Sequence, residues 1–123
     1  MIFPKHFPED CPPGSAEATK GEVFRFVDQD PPADNDFLSH FLLGKKLKQE
    51  DKMCEWCGCS VFLTEEDARK KASAIPYLRK KLLAKGTLTP EWGAIAQTGQ
   101  KPHYTWWIVE GKIPTPLFTV ITT

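Results

Sequence analysis

The chain has 123 residues, 41% of them hydrophobic and 11% aromatic, which is the size and composition of one folded domain rather than a disordered segment. Sixteen basic residues balance sixteen acidic ones, which argues against strong non-specific nucleic-acid binding. No apolar run approaches the roughly 20 residues of a membrane helix, and the start, Met1-Ile2-Phe3-Pro4-Lys5-His6-Phe7-Pro8, lacks the apolar core of a secretory signal, so the expected compartment is the cytoplasm.

Residues 1–21 are predicted to be an irregular arm. Pro4, Pro8, Pro12 and Pro13 deny the backbone donors that a helix or central strand requires. Ile2, Phe3 and Phe7 suggest that the arm packs onto the body. The run Gly21 to Asp28 reads as the first strand, with Val23, Arg25 and Val27 on one face and Phe24 and Phe26 on the other. A helix is expected from Asp34 or Asn35, because Phe37, Leu38, Phe41 and Leu42 follow helical spacing and Gly44 suits its end. Ser39 and His40 then fall partly opposite that stripe, and the region Lys45 to Lys52 is a charged loop.

Ser60-Val61-Phe62-Leu63 is a short apolar strand. Thr64 can cap a helix whose first turn, Glu65-Glu66-Asp67, suits the positive end of the helix dipole. That helix must stop before Pro76. Residues 79–88 suit a helix end or a strand, with strand preferred. Gly93 to Gln97, Tyr104 to Val109 and Leu117 to Ile121 complete a β-rich second half. The order is not the regular alternation of a parallel α/β sheet. The expected fold is a single α+β domain, 1–123, with two helices packed on a mixed or mostly antiparallel sheet.

Charge is spread unevenly. Residues 1–51 hold ten acids against six bases, and residues 52–123 hold six acids against ten bases. Arg69-Lys70-Lys71 and Arg79-Lys80-Lys81 carry much of the excess. They read either as a phosphate-binding patch or as a solvated helix face.

The cysteines are Cys11, Cys54, Cys57 and Cys59. Three within six residues are poorly spaced for local disulfides, leaving reduced thiols or a metal as the expectation. Cys54, Cys57 and Cys59 could supply a structural zinc site, with Cys11, His40 or His103 as a fourth ligand. Cys59 also begins an apolar strand, where a buried thiol acts as a small hydrophobe.

Arg25 is mid-strand between apolar neighbours, so its guanidinium needs water, a carboxylate such as Glu22 or Asp28, or a ligand anion. In His103-Tyr104-Thr105-Trp106-Trp107 a strand places Tyr104, Trp106 and Ile108 on one face, expected in the core. His103, Thr105 and Trp107 share the other, which is expected to present an imidazole, a hydroxyl and an indole to a ligand. No Gly-rich phosphate loop and no serine nucleophile elbow occur.

The segments Val23 to Val27, Phe37 to His40, Ser60 to Phe62 with Glu66 to Arg69, and His103 to Trp107 together resemble a set of small uncharacterised bacterial proteins. More distantly, the first part is similar to compact ADP-ribosyltransferase domains. That resemblance implies NAD as cofactor, Arg25 as contact to its phosphates, Ser60 in a second motif, and Glu110 as the nearest counterpart of a catalytic glutamate. The leading expectation is a soluble binding or regulatory protein. Its ligand or partner surface would comprise Arg25, His40, Ser60, His103, Thr105 and Trp107. An NAD-using transferase and a zinc-stabilised interaction module are the alternatives.

Overall fold

The computed structural model describes residues 1–121. Among these the chain is α+β, built on two antiparallel sheets with few and short helices. The first sheet has the order β1 (Glu17–Ala18), β5 (Gly93–Gln97), β6 (Tyr104–Ile108) and β3 (Cys59–Val61). The second has the order β2 (Gly21–Val27), β4 (Leu82–Leu88) and β7 (Phe118–Val120). Phe24 and Phe62 join them by reciprocal backbone bonds of 2.8 and 2.9 Å.

The main core is drawn from both sheets: Val23 and Val27 of β2, Ala84 and Leu88 of β4, Phe118 of β7, Cys59 and Val61 of β3, and Trp106 of β6. Period-two alternation explains the partition. Val23 and Val27 point into this core, whereas Phe24 joins Phe62, Ala68 and Leu83 in a second cluster. Ala68 belongs to α2 (Glu65–Ala74), the longest helix described. It forms where expected. Thr64 accepts a hydrogen bond from the Asp67 amide at 3.0 Å, and Ile75 leaves the helix in extended conformation ahead of Pro76. A single turn, α3 (Pro76–Arg79), then leads into β4, so the strand reading of residues 79–88 holds from Leu82.

The helix expected from Asp34 towards Gly44 does not form. A 3-10 turn spans Asp34–Phe37, and Leu38 departs in extended conformation. The cause is Asp36. Its buried carboxylate accepts from the backbone amides of Asp28 at 2.8 Å and Ala33 at 2.9 Å, which ties the turn to the end of β2. Phe37 enters the core, but Phe41 and Leu42 are exposed, so most of the anticipated stripe is not a core face. Gly44 keeps the left-handed conformation, φ 74°, inside a run of turns.

A disulfide joins Cys11 to Cys54, which overturns the expectation of reduced or metal-bound cysteines at these two positions. Spacing among neighbouring thiols does not encode this pairing. Cys11 and Cys54 are 43 residues apart, and the arm brings them together. Cys54 lies in α1 (Met53–Trp56), a single turn. Cys57 and Cys59 are free and buried, and the Cys59 thiol donates to the Phe37 carbonyl at 3.3 Å. The arm does pack. Phe3, Phe7, Cys11 and Ala16 surround Trp107 and Ala96 in a third cluster.

Candidate functional site

Two residues of β6 that were expected to face a ligand are buried. Trp107 is 0% exposed under the arm, and its indole N–H donates to the Cys54 carbonyl at 2.7 Å. Thr105 is 2% exposed. The alternation itself is as expected, since Trp106 enters the main core and donates to the Trp92 carbonyl at 2.9 Å. What the sequence reading lacked was the cover over the other face. A large indole left in water would forfeit the several kcal/mol that burial supplies, and the disulfide-tethered arm supplies that burial.

At the far end of the same face no arm arrives, and a cleft of about 320 Å³ opens. Arg25, His40, Ser60 and His103 all line it, although they come from four separate segments. The antiparallel register explains the last two. Ser60 pairs with Thr105 across β3 and β6, so His103 is its diagonal neighbour on the same face. His103 Nε2 and Ser60 Oγ are 2.9 Å apart. On the other side of the ring, Nδ1 lies 3.1 Å from both the carbonyl oxygen and the hydroxyl of Thr98. Thr98 in turn meets Thr105, hydroxyl to hydroxyl, at 2.6 Å. The backbone of the β5–β6 hairpin reinforces this, with the Thr98 amide donating to the His103 carbonyl at 3.2 Å. Thr105 therefore acts beneath the cleft, holding the residue that holds His103.

Gly58 is needed here for close approach. A Cβ at this position would collide with the Thr105 methyl and sit 3.1 Å from the Trp107 indole nitrogen. Any other residue would push α1 away from β6.

Arg25 crosses the edge of the two sheets. Its Nε donates to the Asp36 carbonyl at 2.9 Å and its Nη1 to the Ser60 carbonyl at 2.7 Å. The anticipated carboxylate partners are engaged elsewhere: Glu22 with Lys85 and Asp28 with Lys81. Among the described residues, no carboxylate lies within ion-pair distance of the Arg25 guanidinium. Carbonyl dipoles orient it but leave its charge uncompensated.

Lys45, Lys71 and Lys81 also line the cleft, and no acidic residue does. Lys71 and Lys81 come from the two basic runs noted in the sequence, so part of that excess is a cleft wall rather than a solvated face. His40 reports the resulting field. Its pKa is lowered, first by burial and then by the charges of Lys45, Arg25 and Lys81. Its ring packs at a tilt against Trp56, centroids 4.5 Å apart, and its Nδ1 is buried with no hydrogen-bond partner among the described residues. Tyr77, 64% exposed, stands with Ile75 and Leu78 along an apolar part of the wall. Thr98, Lys45 and Tyr77 carried no distinguishing signal in the sequence, since their roles arise from where turns place them.

A larger cavity of about 740 Å³ lies between the arm and the loop after β6, with Phe3, Phe37, Leu42 and Ile108 among its walls. Glu110 lines it, and its amide donates to the Ile2 carbonyl at 2.9 Å. Glu110 therefore lies apart from the cleft that Arg25 and Ser60 line. The zinc set is also altered. Cys54 is consumed by the disulfide, and burial raises the pKa of both the Cys57 and Cys59 thiols, disfavouring the thiolates a metal requires. Among the described residues no helix is long and apolar enough to cross a membrane. Compared with known proteins, no family model, curated protein or solved structure matches the chain. The chemistry of the cleft is read from its own side chains.

Proposed function

We propose that the protein binds a small anionic molecule, of the phosphate type, in the cleft lined by Arg25, His40, Ser60 and His103. The observation that carries this reading is the charge of the walls: Arg25, Lys45, Lys71 and Lys81 beside two imidazoles, with no lining carboxylate. An arginine held by two carbonyls and lacking a counter-anion is prepared for a phosphate or carboxylate. The volume, near the lower end of the roughly 300–1,000 Å³ typical of ligand sites, suits a small molecule rather than a protein segment. Tyr77 and Leu78 offer the non-polar part of such a ligand a surface.

A ligand bound by the native state alone stabilises it by RT ln(1 + [L]/Kd). Melting temperature is therefore measured against inorganic phosphate, small phosphorylated compounds and their unphosphorylated counterparts. The phosphorylated members should raise it in a saturable way and the neutral ones should not. Arg25→Gln should weaken binding by about ten-fold or more, the scale of a charge-assisted hydrogen bond. Lys81→Ala, which leaves the strand scaffold untouched, should weaken it less. Equal stabilisation by neutral and phosphorylated compounds would refute the reading.

NAD is the second reading to test in the same panel. Its support is the contact of Arg25 with Ser60, the two residues that the transferase resemblance singled out. The compartment belongs to the same experiment series. A disulfide favours an oxidising setting over the cytoplasm, and counting free thiols in the protein as isolated distinguishes them.

A further inference from the structure

The cleft contains more than a binding surface. The orientation of His103 is held by two oxygens of Thr98 at Nδ1. The carbonyl and the hydroxyl of Thr98 both lie 3.1 Å from Nδ1; in the tautomer protonated at Nδ1 the ring donates to the carbonyl, which can only accept, and the hydroxyl is left to Thr105. Nε2 then carries a lone pair, and Ser60 O–H, 2.9 Å away, is its donor. This is the tautomer that a general base needs, held by a third group as a nucleophile–base pair requires. The Thr98–Thr105 hydroxyl contact and the edge-on Phe62 ring, 6.3 Å from the imidazole, restrict the ring further. Ser60 itself is exposed to the cleft, between the buried Cys59 and Val61. Arg25 Nη1 bonds to the Ser60 carbonyl, which anchors a cation at the nucleophile's own residue.

We propose that Ser60 is a nucleophile activated by His103, and that its substrate is a phosphate monoester. This rests on the anion-binding reading of the cleft and adds a reaction to it. Ser60 Oγ attacks phosphorus while its proton passes to His103 Nε2. The bond from phosphorus to the ester oxygen breaks with its electron pair, and the imidazolium returns the proton to that oxygen. The products of this half are a free alcohol and phosphoserine 60. Water then attacks the phosphoserine as His103 takes its proton. The P–Oγ bond breaks, Ser60 recovers a proton from the imidazolium, and inorganic phosphate leaves. Arg25, Lys71 and Lys81 stabilise charge on the non-bridging oxygens, which is where an all-cationic wall helps most. Thr98 is a positioning residue and touches no reacting atom.

Three measurements on the full chain test this. Inorganic phosphate should raise the melting temperature of the unaltered protein; if it does not, the anion-binding reading and this one fail together. A fluorophosphonate probe should attach through displacement of fluoride at Ser60, located by peptide mass spectrometry. Finally, p-nitrophenyl phosphate should be hydrolysed, with Ser60→Ala abolishing turnover and His103→Asn lowering it about 10²–10⁴-fold, the usual contribution of a general base. If phosphate binds but Ser60 is neither labelled nor required for turnover, the nucleophile is refuted while binding stands. If p-nitrophenyl acetate is cleaved through Ser60 and the phosphate ester is not, the substrate class is overturned. Labelling of the unaltered chain does not depend on either variant folding.

Discussion

One face of β6 meets two fates. At the Trp107 end, the arm, Cys11 and Cys54 seal the side chain completely. At the His103 end, four residues earlier on the same strand edge of the hairpin, the ring stands in an open cleft among cations. Strand parity gives these two side chains the same direction, so parity alone cannot say which is functional. The difference lies in what covers each end, and most of that cover is supplied by the arm, more than 90 residues away in sequence from Trp107, with Cys54 completing it. An aromatic residue facing outward from a sheet is a site only where no other segment has a reason to bury it.

The strongest way to break this contrast is Trp107→Ala. If the arm truly seals that end, the variant loses a buried indole and its bond to the Cys54 carbonyl, at a cost of about 3–5 kcal/mol. Equilibrium denaturation measures it. A variant as stable as the parent would mean that the arm does not pack there. Next is removal of the disulfide by the double change Cys11→Ala and Cys54→Ala. Closing a loop of 43 residues restricts the unfolded chain by up to about 4 kcal/mol. The loss should appear in denaturation, while the Arg25–Ser60–His103 end, which makes none of these contacts, should still bind phosphate.

A smaller effect probes the open end. Asp36→Asn removes a buried carboxylate that accepts two backbone amides, costing about 1–3 kcal/mol. Because the Asp36 carbonyl also holds Arg25 Nε, the variant should bind phosphate more weakly than its lost stability alone explains. Binding isotherms taken well below the melting range separate the two. Unchanged affinity would show that Arg25 is positioned by Ser60 alone.

The strands, the capped helix α2 and the face of Arg25 were legible because each depends on local periodicity or a local cap. The convergence of Arg25, His40, Ser60 and His103 was anticipated as residue types but not as geometry, since it needs the β3–β6 register and the Phe24–Phe62 bridge. The turn at Asp34–Phe37 was misread because Asp36 bonds back to Asp28, a contact that no helical spacing encodes. The Cys11–Cys54 bond was missed for the same reason: its logic is the path of the arm, not the spacing of the thiols. Lys71 and Lys81 were visible as charge runs, but only the fold decides which lysine of a run turns into the cleft.

The subtlest expected effect concerns His40. Burial first, and then Lys45, Arg25 and Lys81, hold its pKa below the usual 6.5. The sign follows from which state takes up the proton first. On acidification below about pH 6.5 the unfolded chain protonates this imidazole before the folded one does, so the contribution is fully present above about pH 6.5 and is lost as pH drops from there towards the lowered folded value. An anion in the cleft opposes the three cations and should raise the His40 pKa. Phosphate should therefore bind with proton uptake on the acid side of neutrality and recover part of the acid loss. NMR titration of the His40 ring, with and without phosphate, reads both shifts. If His40 titrates at its ordinary value in the free protein and does not respond to phosphate, the cations are not focused on the cleft, and the contrast between the two ends of β6 reduces to burial alone.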